Sequence, residues 1–132
     1  MGCCTMLFWV FCVEDSVIRI KRVYEMAAKD DGFRLLVDRL WPRGLTKERA
    51  AVDQWMREIA PSDALRRWFG HEPEKWPEFE KRYRKELAGK KDLLSEIQKL
   101  ESEHKLVTLL YGRNDEKQNQ AVVLADVLKR KR

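Results

Sequence analysis

The body of this 132-residue chain contains no cysteine. Cys3, Cys4 and Cys12 all lie near the start, so residues 17–132 have none. A disulfide framework and a cysteine-rich zinc site are therefore excluded from the body of the fold. A cysteine nucleophile, of the kind that phosphatases and sulfurtransferases use, is excluded there for the same reason. This distribution predicts a reducing, cytoplasmic setting.

The sequence also lacks the short motifs that mark common nucleotide-binding and hydrolytic sites. It has no P-loop motif, no GxGxxG and no glycine-flanked serine nucleophile. His71 and His104 are far apart in the sequence and have no convincing third ligand nearby, so a histidine-based metal site is not predicted. No cofactor can be assigned from the residues.

Long apolar runs are missing as well. Met6 to Val13 is an apolar run of 8 residues, which is too short to cross a bilayer and lacks the basic flank of a secretory signal. We interpret residues 1–16 as an accessory extension, or as translation from a start codon upstream of the true one. Lipid attachment at Cys3 or Cys4 is the alternative. Residues 17–132 have the length of a single domain.

Basic charge is not concentrated in that domain. Of the net charge of +5, the tail at residues 129–132 supplies +4 and residues 1–16 supply −2, which leaves +3 for residues 17–128 with acids and bases interspersed. Nucleic-acid-binding domains usually gather basic side chains on one face. The composition therefore favours a small ligand over nucleic acid, and it does not specify an oligomeric state.

Hydrophobic periodicity predicts an α/β fold with a small, mostly parallel sheet and helices packed on it. Val17 to Tyr24 alternates in the manner of an edge strand, whereas Phe33 to Leu40 and Leu106 to Tyr111 are apolar runs typical of strands buried on both faces. Spacings of three and four predict the helices. They are expected from about Lys47 to Ala60 with Thr46 as the cap, from Ser62-Asp63 to Gly70, from near Pro77 to Gly89, around Leu93 to Leu100, and around Ala121 to Leu128.

The candidate site lies where the two apolar strands end. Helical crossovers favour parallel pairing, which brings both carboxyl ends to the same edge of the sheet. Open α/β sheets bind their ligands at that edge. The charged, aromatic and amide residues expected to meet there are Asp38, Arg39, Trp41, Arg43, Arg113, Asp115 and Asn119.

These residue types suggest chemistry on an anion. Arginine forks suit phosphate and carboxylate, so Arg39, Arg43 and Arg113 are predicted ligand-binding residues. Asn119 is expected beside them, and Trp41 offers a stacking face.

The predicted catalytic residues are Asp38, Asp115 and His71, the aspartates as a base or as a magnesium ligand and the histidine as an acid or base. The alternative is structural. Asp38 would then pair with an arginine, Trp41 would close the core, and His71 would cap a helix end or lie exposed.

Two functions remain open. The first is binding of a small anionic ligand, bearing phosphate or carboxylate, in a cleft at the carboxyl ends of the strands, with or without catalysis. The second is a non-catalytic module in which residues 47–87 and the basic tail bind nucleic acid or protein.

Five stretches of the sequence resemble the YeaO-like family of uncharacterised proteins in the DUF488 superfamily. They are IRIKRVYE, LLVDRLWPRGLTKE, WMREIAPS, LRRWFGHEPEKWPEF and VTLLYGRNDE, and the resemblance runs from about Ile18 to Leu128. It implies a compact α/β domain and brings no settled activity. Members of the family usually carry a histidine near the start of the last helix, where this chain has Gln120, so a role for that imidazole is not expected here.

Overall fold

The computed structural model describes residues 17–130, and the predictions made for residues 1–16 lie outside it. Its sheet has four parallel strands in the order β1-β4-β2-β3. The strands are β1 (Val17–Arg22), β2 (Phe33–Leu36), β3 (Gln54–Trp55) and β4 (Leu106–Tyr111). The predicted α/β fold with a parallel sheet is confirmed, and β1 is an edge strand as its alternation indicated.

Five helices connect and cover these strands. They are α1 (Lys47–Ala50), α2 (Asp63–Phe69), α3 (Trp76–Ala88), α4 (Lys91–His104) and α5 (Gln120–Arg130). The limits of α2 follow the predicted signals: the Ser62 hydroxyl accepts a hydrogen bond from the Leu65 backbone N–H at 3.2 Å, and Gly70 takes a left-handed conformation at the other end.

The predicted helix from Lys47 to Ala60 is wrong beyond its first turn. Thr46 caps it as expected, but α1 ends at Ala51, which has a φ of 49°. The chain then forms β3 beside β2, followed by a short 3-10 turn. The spacing of three and four misleads here because the apolar residues serve different faces. Val52 and Trp55 pack beneath one face of the sheet, whereas Met56 and Ile59 enter the core on the other.

The strands divide the apolar side chains between two layers. Leu35, Leu109 and their neighbours face the large core, which α2 to α5 cover. Leu36 and Leu110 face the opposite way, into a small cluster that Ala50 and the segment from Trp41 to Trp55 close. This alternation follows from the period of two along a strand. The regular part of β2 is shorter than predicted, since it stops at Leu36 rather than Leu40.

A buried ionic network lies at the amino end of β2, on the same face as the small cluster. Arg34 is 4% exposed and Asp31 is 5% exposed. The Arg34 guanidinium donates to Asp31 and to the carbonyl oxygens of Ala50 and Ala51, at 2.8 and 3.0 Å respectively. Lys21 Nζ donates to both oxygens of Asp31, at 3.1 and 3.0 Å. This network fixes α1 against the sheet.

Among residues 17–130 the longest helix, α4, has 14 residues, and none combines the length and apolar character that a bilayer crossing needs.

Candidate functional site

A cavity of about 220 Å³ opens at the carboxyl ends of β2 and β4. Its polar lining residues are Asp38, Arg39, Arg66, His71, Arg113 and Gln120, and its apolar ones are Leu40, Ala60, Pro61, Phe69 and Phe79. The parallel topology therefore brings the residues after β2 and β4 together, as predicted. The predicted site residues that line the cavity are Asp38, Arg39, His71 and Arg113.

Asp38 lies in the wall of this cavity and connects the segment after β2 with the segment after β4 and with α5. Its Oδ2 accepts a hydrogen bond from the Gly112 backbone N–H at 2.8 Å, and its Oδ1 accepts one from the side-chain amide of Gln120. Gly112 is needed for the close approach, because a Cβ there would lie 2.9 Å from Asp38 Oδ2. Burial raises the pKa of Asp38 to about 6, and the two hydrogen bonds offset only part of that effect.

Arg113 brings a partly buried positive charge to the cavity. Its guanidinium lies 4.7 Å from the centroid of the Phe69 ring, which is a cation–π contact. It forms no ion pair with any acidic residue that the structure describes. Burial lowers the pKa of Arg113, although Asp115 acts in the opposite sense. Arginine nevertheless stays charged at neutral pH.

Two further arginines, Arg39 and Arg66, line the cavity. Arg39 Nε and Nη2 donate to the carbonyl oxygens of Pro61 and Ala60, at 3.2 and 3.3 Å. Arg66, on α2, forms an ion pair with Asp63 at 3.3 Å, and Asp63 also lies 4.0 Å from Arg39. One carboxylate therefore serves two guanidinium groups, so the arginines are only partly neutralised.

His71 lies at the rim, directly after α2. Its φ of 61° follows that of Gly70, 53°, so two consecutive residues are left-handed. This conformation is uncommon for a residue other than glycine. Burial lowers the pKa of His71, and the charges of Arg113 and Arg66 lower it further. The imidazole is therefore mainly neutral at pH 7.

An open groove continues outward from the rim. It shares His71 and Arg113 with the cavity and extends along Arg22, Tyr24 and Asp115. Asp115 shapes the loop there, because its Oδ1 accepts hydrogen bonds from the backbone N–H groups of Lys117 and Gln118, both at 2.9 Å. These two bonds lower the pKa of Asp115. Asp115 thus lies near the cavity but does not line it.

Three of the predicted ligand-binding residues lie outside the cavity. Trp41 packs edge-on against Trp55 in the small cluster, and its Nε1 donates to the Leu45 carbonyl oxygen at 2.8 Å. Arg43 is exposed. Asn119 is fully buried, and its Oδ1 accepts from the Val122 backbone N–H at 3.1 Å, which caps α5. Their roles in ligand binding stay predictions.

The prediction missed Arg66 and the aromatic floor of the cavity. Phe69 and Phe79 pack in the core while also facing the cavity. The available signal for Arg66 was its spacing from Phe69, three residues further along α2, since residues three or four apart share one side of a helix. Gln120 was noted only for the histidine it replaces. It contacts Asp38 instead.

No group of three or more His, Cys, Asp or Glu side chains within residues 17–130 is placed to hold a metal ion.

Comparison with known proteins identifies the family. Residues 17–132 match the family described as "Inactive DUF488-N3 subclade". The uncharacterised protein YeaO of Escherichia coli is 44% identical over 117 residues, which cover 85% of this chain and 96% of that protein. The chain belongs to the YeaO-like DUF488 family.

Mycobacterial relatives of this DUF488 protein support the same family assignment. Uncharacterised proteins of Mycobacterium tuberculosis and Mycobacterium bovis are each 40% identical over 116 residues, covering 88% of this chain and 97% of theirs. No solved structure gives a significant match. The family assignment made from the sequence is confirmed.

Proposed function

We propose that this DUF488 protein binds a small anionic ligand, bearing phosphate or carboxylate, in the cavity at the carboxyl ends of β2 and β4, without transforming it. The observation that carries the proposal is the convergence of Arg39, Arg66 and Arg113 on one cavity. Guanidinium groups bind carboxylate and phosphate through paired, charge-assisted hydrogen bonds. An anion is the ligand that this set of donors suits best.

The acidic lining does not cancel this charge. Among the described residues, Asp38 is the acid that lines the cavity, and both its oxygens already accept hydrogen bonds from Gly112 and Gln120. Arg113 is partly buried and forms no direct ion pair with an acid among residues 17–130, although the charge of Asp115 acts on it from beyond ion-pair distance. Partial burial reduces the solvation of the guanidinium, so an anion that pairs with it directly gains more than it would at an exposed arginine.

Binding without turnover is supported by the family description, which names the matched subclade as inactive. It is also supported by the chemistry of the chain, whose three cysteines all lie in residues 1–16. In this proposal Asp38 shapes the wall, Asp115 shapes the neighbouring loop, and His71 lines the rim. Their catalytic roles remain predictions from the sequence. We propose the cytoplasm as the setting, from the placement of the cysteines.

Thermal unfolding of the full chain with inorganic phosphate, sulfate and acetate tests the proposal. A ligand at about 100 times its Kd stabilises the native state by about 2.7 kcal/mol. We expect an anion to raise Tm, and we expect Arg113→Gln to remove that rise. Arg67→Gln is the matched control because Arg67 is exposed and outside the cavity.

The proposal fails if no anion stabilises the protein, or if the two glutamine variants respond alike. Stabilisation by nucleic acid instead, with steep salt dependence and loss on deletion of residues 129–132, would support the alternative binding module.

A further inference from the structure

We propose, on the basis of the proposed function, that the ligand of this cavity is an organic acid with a single apolar ring and one carboxylate. The structure divides the cavity into an apolar interior and a cationic mouth, and this class of molecule matches both parts.

The volume of the cavity sets the size of the ligand. A closed apolar cavity of about 150 Å³ holds one benzene molecule, and the cavity here measures about 220 Å³. The difference leaves room for a carboxylate beside a ring. Pockets for drug-sized ligands are larger, at about 300 Å³ or more. One ring with one small substituent is therefore the expected size.

The interior of the cavity is aromatic and apolar. Phe69 and Phe79 are 3% and 4% exposed, and their ring centroids lie 4.6 Å apart. Ala60 and Pro61, both buried, complete this surface. Phosphate or acetate alone would fill little of this space, whereas a ring would occupy it and gain van der Waals contact with the apolar walls. Aromatic walls of this kind also suit stacking and edge contacts with another ring.

The cationic groups lie toward the mouth. Arg66 and His71 are exposed, and Arg113 lines both the cavity and the outer groove. The Arg113 guanidinium also covers the face of Phe69, so the charged and aromatic surfaces meet at one place. A ring placed inward against Phe69 would bring its carboxylate to Arg113 and the neutral His71.

Asp38 limits the ligand to a single negative charge. Its carboxylate lies in the cavity wall, with both oxygens fixed by Gly112 and Gln120. A second carboxylate on the ring would approach Asp38 and be repelled by it, because like charges interact strongly where water is excluded.

Isothermal titration of the full chain with benzoate, acetate, inorganic phosphate, benzamide and phthalate tests this inference. We expect benzoate to bind at least ten-fold more tightly than each of the other four probes. Leu40→Ser should reduce the benzoate affinity about three-fold and leave acetate unchanged, since Leu40 lines the cavity but is 59% exposed and can be replaced without opening the core. Met26→Ser is the control, because Met26 is 87% exposed and does not line the cavity.

The outcomes separate this inference from the proposed function. Equal binding of acetate or phosphate and benzoate, with loss in Arg113→Gln, overturns the ring and leaves anion binding in place. Equal binding of phthalate and benzoate overturns the single charge. Binding of benzamide as tight as that of benzoate, or no binding by any anion, overturns both the inference and the proposed function.

Discussion

Asp31 and Asp38 flank β2, and the pKa values of their carboxyl groups are shifted in opposite directions. Burial acts to raise the pKa of Asp31, but hydrogen bonds from the Ala28 backbone N–H, Lys21 and Arg34 outweigh it, and the pKa is lowered. Burial raises the pKa of Asp38 to about 6, because its two hydrogen-bond donors are uncharged. The backbone N–H and the two cations at Asp31 together outweigh burial, whereas the two neutral donors at Asp38 do not.

The same difference distinguishes the Arg34 network from the proposed ligand site. At the amino edge of the sheet, Arg34 and Lys21 both pair directly with the carboxylate of Asp31, and Arg34 is buried. At the carboxyl edge, Arg39 contacts carbonyl oxygens, Arg113 contacts an aromatic ring and Arg66 pairs with the exposed Asp63, while Asp38 is held by neutral groups. A cavity whose arginines do not pair with the acid in its wall leaves them able to pair with an anionic ligand.

Removing the carboxylate of Asp31 should have the largest effect. Asp31→Ala leaves Arg34 as a buried cation without its partner, which costs about 3–5 kcal/mol. Urea unfolding at pH 7 measures the loss. Asp30→Ala is the matched control, because Asp30 is adjacent and exposed, and it should change the free energy of unfolding by less than about 0.5 kcal/mol. A similar loss in both variants would contradict the role given to Asp31.

Asp38 should give the opposite pH dependence. Its pKa is higher in the folded state than in the unfolded chain, so the native protein binds the proton more tightly and loses stability as pH rises from about 4 to about 6. Two pH units correspond to about 3 kcal/mol. Asp31, whose pKa is lowered, instead stabilises the protein above its unfolded pKa and loses that contribution on acidification.

The variant Asp38→Asn should therefore remove the loss between pH 4 and pH 6 and leave the chain more stable at pH 7 by up to about 3 kcal/mol. Urea unfolding at half-unit steps of pH checks this expectation, with Asp30→Asn as the control that keeps the slope. An unchanged slope in Asp38→Asn would show that another group produces it.

A smaller effect is expected from Gly112→Ala. The added Cβ would lie 2.9 Å from Asp38 Oδ2 and force the carboxylate away from the backbone N–H, which should cost about 1–2 kcal/mol. Gly89→Ala is the comparison, since its Cβ would meet its nearest atom, the Glu86 carbonyl oxygen, at an ordinary 3.5 Å. Thermal unfolding of the two variants measures the difference, and equal Tm values would argue against a close approach at Gly112.

The smallest predicted effect concerns ligand affinity. Protonation of Asp38 removes a negative charge from the cavity wall, so benzoate affinity should rise about three-fold to ten-fold between pH 7.5 and pH 5.5. Titration calorimetry at the two pH values gives the ratio. His71→Asn should keep the rise, whereas Asp38→Asn should abolish it; the reverse pattern would assign the effect to the imidazole.

The elements that local patterns control were predicted well. The apolar runs that became β2 and β4, the Ser62 and Gly70 signals around α2, and the convergence of Asp38 with Arg113 all follow from short-range periodicity plus the geometry of parallel strands.

Features that depend on tertiary partners were not predicted. β3 exists because its backbone pairs with β2, which spacing along one segment does not encode. The Arg34 network was missed because an arginine inside an apolar run gives no sign that Asp31 and two carbonyl oxygens will surround it. Asn119 did carry a local signal, since asparagine before an apolar helix is a preferred cap.

The position of β4 has a consequence for synthesis of the chain on the ribosome. β4 lies between β1 and β2, and Val17 pairs with Leu106. Until residues 106–111 have emerged, β1 lacks its neighbour in the sheet and β2 has only the two residues of β3 beside it. β1 and β2 therefore cannot be joined in the sheet until the last fifth of the chain is synthesised. Translation pauses near the start of β4 should then lower the yield of folded protein more than pauses after α5 has formed.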